Sequence, residues 1–137
     1  MKSQSPRSLP GWAGLACICC IAALQLLLGG AAYAAGNPGI GADLFDQECA
    51  DCHSVKPGKN KKGPSLAGIV GRKSASIAEF SGYSDALKAS GLTWTADNLG
   101  SYLKAPKGLV AGGKMKYDGL ADDKARADLL AYLATLH

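Results

Sequence analysis

Cys49-Ala50-Asp51-Cys52-His53 sets two thiols three positions apart, with an imidazole directly after the second. On a helical turn, side chains at i and i+3 face the same way. Both sulfurs can therefore add to the two vinyl groups of one porphyrin while the next residue offers a ring nitrogen to its iron. This is the attachment pattern of a covalent c-type haem. A redox Cys-x-x-Cys pair is the first alternative, but such sites sit in a βαβ setting that this chain lacks. A zinc site would have to use Cys49, Cys52, His53 and His137, and the adjacent side chains at 52 and 53 fit one tetrahedral ion poorly.

Outward from the motif, 137 residues hold one small domain and whatever its termini add. The first segment differs from the rest. Lys2 and Arg7 precede a nearly uncharged run from Gly11 to Leu28, and small residues then lead to Ala32-Tyr33-Ala34, the form of a signal peptidase site. We read residues 1–34 as a signal peptide and 35–137 as the exported domain. The run is about 18 residues, at the lower edge of what spans a bilayer core of roughly 30 Å, so an uncleaved anchor is the alternative. Cys17, Cys19 and Cys20 lie in this run, none at its end where an acyl acceptor would stand, and only Cys49 and Cys52 remain beyond it. A disulfide framework is excluded. Lys2 and Arg7 belong to the same segment, so 13 of the 15 basic residues remain against all 11 acids. That small excess does not favour a nucleic-acid partner.

With two Phe and two Trp in the whole chain, the aromatic core is thin, and small domains often recruit a metal or cofactor. A porphyrin would fill that gap at roughly 25 cal/mol per Å² of apolar surface buried.

The apolar spacing predicts helices and long loops. A short helix starts near Gly41 and runs into Cys49, with Leu44 and Phe45 apolar and Asp43, Asp46 and Glu48 interleaved as acids of its first turns. Lys56 to Lys73 is loop by composition. Thr95 caps a second helix carrying Leu99, Tyr102 and Leu103 at i, i+3 and i+4, which Pro106 stops. Lys107 to Gly119 is another Gly/Lys loop. Asp122 or Asp123 caps a final helix with Leu129, Tyr132, Leu133 and Leu136 on one stripe. The expected class is all-α, with three or more helices and two long loops whose order implies a ligand.

Whether the iron has a second protein ligand separates an electron carrier from a reactive haem. Beyond the leader the chain has one methionine, Met115, and one other histidine, His137. Met115 stands in the polar loop Gly112-Gly113-Lys114-Met115-Lys116, where a large apolar side chain needs something to bury it. Ligation supplies that reason; His137, a lysine or an open position are the alternatives.

From about Gly41 to Leu136 the chain resembles the class I cytochromes c, the mitochondrial type and its bacterial relatives. The resemblance rests on the haem motif together with Gly41, Phe45, Gly63-Pro64-Ser65-Leu66, Gly71-Arg72-Lys73, Tyr83, Trp94, Tyr102-Leu103, Pro106 and Lys114-Met115. It implies the cytochrome c fold around one haem c, held through Cys49 and Cys52 with His53 and Met115 on the iron. It further implies that the Pro64 carbonyl accepts the His53 Nδ1 proton, that Arg72, Tyr83 and Trp94 stand near a buried propionate, and that Tyr102 stands near the Met115 sulfur. Leu66 and Leu103 would contact the haem, and Gly41 and Phe45 would meet Leu129 and Tyr132 where the terminal helices cross.

The implied function is a periplasmic monomer that catalyses no bond-making and carries single electrons. Its partners would be a quinol-oxidising cytochrome bc complex and a terminal oxidase or photosynthetic reaction centre, or a periplasmic dehydrogenase. A haem catalyst or gas sensor with a labile sixth position, and a membrane-anchored haem module, are the competing readings. Two departures from the family stand out: Gly113 brings no hydroxyl before the methionine, and Glu48 replaces a lysine commonly found before the first cysteine. Even so, ten of the thirteen remaining basic residues (Lys56, Lys59, Lys61, Lys62, Arg72, Lys73, Lys104, Lys107, Lys114 and Lys116) lie in two acid-free stretches, 52–78 and 98–117. They predict a positive haem edge that steers the protein onto acidic partners.

Overall fold

The computed structural model describes residues 36–137, and the segment read as a signal peptide lies outside them. Helix α1 spans Pro38–Glu48. The Asn37 side chain accepts from the Gly39 and Ile40 amides at 2.9 and 3.3 Å, and proline occupies the first turn, so the helix opens three residues before the expected Gly41. No acid lies in that first turn. Asp43, Asp46 and Glu48 all follow it, and Glu48 closes the helix at the negative end of its dipole, opposite to the expected arrangement.

Helix α2 (Asp85–Ala89) is short and was not foreseen; Ser84 caps it by accepting from the Leu87 amide at 3.1 Å. Helix α3 (Ala96–Lys104) is capped by Thr95 as expected, with Leu99 and Leu103 buried. Pro106 ends α3 but also opens α4 (Pro106–Leu109), so the second Gly/Lys loop begins at Val110 rather than at Lys107. A proline fits either role, because its fixed φ and missing N–H suit a first helical position. Helix α5 (Asp123–Leu133) is capped by Asp122, which accepts from the Ala125 amide at 2.6 Å. Leu136 lies past its end but still packs on the core. The one bridge between extended segments among the described residues joins Lys73 to Thr93. The class is all-α.

The terminal helices α1 and α5 make the most extensive helix contact. A Cβ on Gly41 would overlap the Asp128 carbonyl and the Tyr132 side chain, so glycine permits the close crossing. The Phe45 and Tyr132 rings pack beside it at 5.6 Å, and Leu129 is fully buried. The buried Asp128 carboxylate accepts from the Asn37 amide at 2.6 Å and pairs with Lys124 at 2.5 and 2.7 Å, which ties the start of α1 to α5.

Backbone bonds shape the loops. Gly63 and Leu66 amides donate to Cys52 and Ser54 carbonyls at 2.8 Å, folding the first loop back over the motif. Gly71 donates to Trp94 at 2.9 Å and Trp94 to Arg72 at 2.8 Å, which brings the far end of that loop against the entrance of α3. Leu120 donates to Leu103 at 2.8 Å, and Gly119, at φ +109°, lies so close to the Lys104 carbonyl that a Cβ would overlap it. The second loop is thereby pinned along α3.

Candidate haem site

Helix α1 delivers the motif. The Cys49 amide bonds to Phe45 and the His53 amide to Cys49, each at 2.9 Å, so the helical turn carries through the pentapeptide. Cys49 is buried and Cys52 exposed, and neither forms a disulfide. Burial, then the charges of Glu48 and Cys52, push the Cys49 thiol up to about 11. That shift is opposite to the one that would make Cys49 itself a reactive thiolate.

His53 is held from behind. Its Nδ1 lies 2.7 Å from the Pro64 carbonyl, which can only accept, so Nδ1 carries the proton and Nε2 keeps its lone pair. Burial lowers the His53 pKa against the raising effect of that hydrogen bond, and the charges of Arg72 and Lys61 lower it further. The neutral ring is the metal-binding form. A Cβ on Gly63 would overlap the imidazole, so this position is closed to any side chain.

All eleven residues singled out in the sequence (Cys49, Cys52, His53, Pro64, Leu66, Arg72, Tyr83, Trp94, Tyr102, Leu103 and Met115) line one cavity of about 340 Å³. The volume lies within the roughly 300–1,000 Å³ of small-molecule sites. His137 does not line it; it borders a smaller surface pocket with Glu79 and Arg72. The Trp94 and Tyr102 rings pack at a tilt with centroids 4.9 Å apart, and burial raises the Tyr102 phenol pKa. Arg72 donates to the Ala67 and Ser65 carbonyls at 2.7 and 2.8 Å, which fixes its guanidinium at the wall. Two thiols, a neutral imidazole and a thioether, in a space walled largely by leucine, isoleucine and aromatic rings with charged residues also lining it, form a donor set that fits haem c.

The family described as Cytochrome c matches residues 40–137. The chain belongs to the cytochrome c family. Cytochrome c of Gibberella zeae is 48% identical over 101 residues, covering 73% of this chain and 94% of that relative. Cytochrome c2 of Rhodomicrobium vannielii is 46% identical over 113 residues, covering 82% and 89%. Among solved structures, cytochrome cH from Methylobacterium extorquens aligns with a TM-score of 0.68 at 42% identity, covering 73% of this chain and 99% of that one. This cytochrome is a monohaem electron carrier and not an enzyme, and Cys49 and Cys52 attach its haem c.

The cytochrome's cavity also uses residues the sequence did not single out, among them Ile69, Phe80 and Tyr117. Only Tyr117, two residues after Met115, shares the Gly/Lys surroundings of that methionine; Ile69 adjoins Val70, and Phe80 lies between Ile77 and Tyr83 in a stretch without lysine. Phe80 packs edge-on against Tyr83 at 4.9 Å. The Tyr117 hydroxyl is buried with no hydrogen-bond partner, and burial together with the Glu48 charge pushes its phenol up to about 12. Of the ten basic residues in the two acid-free stretches, five line the cavity: Lys62, Arg72, Lys73, Lys114 and Lys116. Lys61 instead donates to the Ala50 carbonyl at 2.5 Å.

Proposed function

We propose that this cytochrome holds its iron between His53 Nε2 and Met115 Sδ and shuttles single electrons in the periplasm after residues 1–34 are removed. Its donor would be a quinol-oxidising cytochrome bc complex or a periplasmic dehydrogenase, and its acceptor a terminal oxidase or photosynthetic reaction centre. The observation that carries the reading is that Met115 borders the same cavity as Cys49, Cys52 and His53. The haem supplies a one-electron ferric/ferrous couple. His53, oriented through Pro64, and Met115 from the opposite end of the sequence would leave no open position for a substrate. A soft thioether and apolar walls favour the less charged ferrous state. The exposed Lys62, Lys73, Lys114 and Lys116 at the same cavity give a positive rim that steers the protein to acidic redox partners. Among the described residues no helix is long and apolar enough to cross a membrane.

The test is Met115→Ala, followed by ferric absorbance and carbon monoxide binding. Loss of the weak far-red sulfur-to-iron band and prompt carbon monoxide binding by the reduced variant are expected, with slow or no binding by the parent. An unchanged spectrum overturns the ligand assignment. The mass of the purified protein checks removal of the leader.

A further inference from the structure

Glu48 is the one acid among the described residues that line the haem cavity, and it is exposed beside the equally exposed Lys62, Lys73, Lys114 and Lys116. It ends α1, where the helix dipole disfavours a carboxylate, and it forms no ion pair among the described residues. Its charge nonetheless acts on both Cys49 and Tyr117, so the group stands close to the cavity wall. Tyr117 lines the same wall. An unpaired carboxylate at the unfavourable end of a helix, on a rim that is otherwise basic, points to a constraint from outside the fold.

We propose that Glu48, backed by Tyr117, is a specificity contact: the redox protein that docks on this rim is acidic against the lysines but presents one guanidinium or ammonium opposite Glu48. The proposal rests on the electron-carrier reading. Against a wholly acidic docking face, Glu48 would lose its water while facing like charge, which opposes association. A cation at that point turns the same residue into a pair and fixes the orientation of the complex. Partners lacking it are rejected. Tyr117 positions the carboxylate, because its hydroxyl can donate to Glu48.

The test compares the holoprotein with Glu48→Lys, Glu48→Gln and Tyr117→Phe. One probe is hexacyanoferrate(III) at low ionic strength. The other is membrane vesicles from the organism that encodes the chain, fed a quinol and consuming oxygen. Glu48→Lys should speed the reaction with the anionic probe about twofold yet raise the KM for the membrane reaction by about fivefold or more, with kcat little changed. Glu48→Gln and Tyr117→Phe should each raise KM by less than Glu48→Lys. A KM that falls or stays level in Glu48→Lys overturns the proposal, since an all-acidic partner gains from the added lysine. If the unsubstituted protein passes no electrons between quinol and oxygen, the carrier reading itself fails.

Discussion

The Nδ1 of His53 lies 2.7 Å from the carbonyl oxygen of Pro64, so one hydrogen bond spans eleven residues and closes the first loop over the haem motif. The residue before Pro64 stands against the ring, and a side chain there would overlap the imidazole. Gly63→Ala is therefore expected to cost about 1–3 kcal/mol through overpacking, or several degrees or more in Tm for a domain of this size. Thermal melts of the holoprotein, with the yield of haem-loaded material, check this.

Leu129 is fully buried where α1 and α5 cross, whereas Leu109 in α4 is 38% exposed. Leu129→Ala should destabilise by about 2–5 kcal/mol, while Leu109→Ala should stay within roughly 0.5 kcal/mol. Denaturant titration separates them; equal losses would contradict the placement of the core.

Lys124 and the Asn37 amide hold the Asp128 carboxyl below its ordinary range, against the opposing effect of burial. A depressed folded-state pKa gives stability that is present above the unfolded pKa of about 3.9 and lost as the pH falls through the folded value. Asp128→Asn should melt below the parent at pH 7, and the gap between them should close progressively under acid, below about pH 4. A gap that persists at pH 2 would show that the charge is not its source.

Gly112 sits at φ +85° in the loop that presents Met115. An alanine in left-handed backbone costs roughly 1–2 kcal/mol, which weakens the loop's hold on the methionine. If iron is held by Met115 as proposed and a lysine displaces it at raised pH, Gly112→Ala should lower the midpoint for loss of the far-red ferric band by up to about one pH unit. An alkaline absorbance titration reads this directly, and a midpoint that rises would contradict it.

Local chemistry carried much of the outcome. The spacing of Cys49, Cys52 and His53 is legible in five consecutive residues because covalent attachment needs only one helical turn. The caps at Thr95 and Asp122 are equally local, since a side chain bonds an amide three residues on. Met115 stood out because an apolar side chain in a Gly/Lys loop requires a burial partner. The early start of α1 was also in the text, as Asn37-Pro38, but the apolar periodicity drew the boundary to Gly41.

What required the fold was everything set by residues distant in sequence. Asp128 is an ordinary acid on a helix until α5 brings it to the Asn37 amide, 91 positions away. The lysines of the acid-free stretches cannot be sorted by composition; only packing put Lys62, Lys73, Lys114 and Lys116 at the haem cavity and turned Lys61 toward the Ala50 carbonyl. Glu48 and Tyr117 became neighbours in the same way. Sequence determines bonding patterns that span a turn or two, because covalent geometry fixes those distances; the burial and charge of each group depend on which remote segments close over it, and that is decided only when the chain folds.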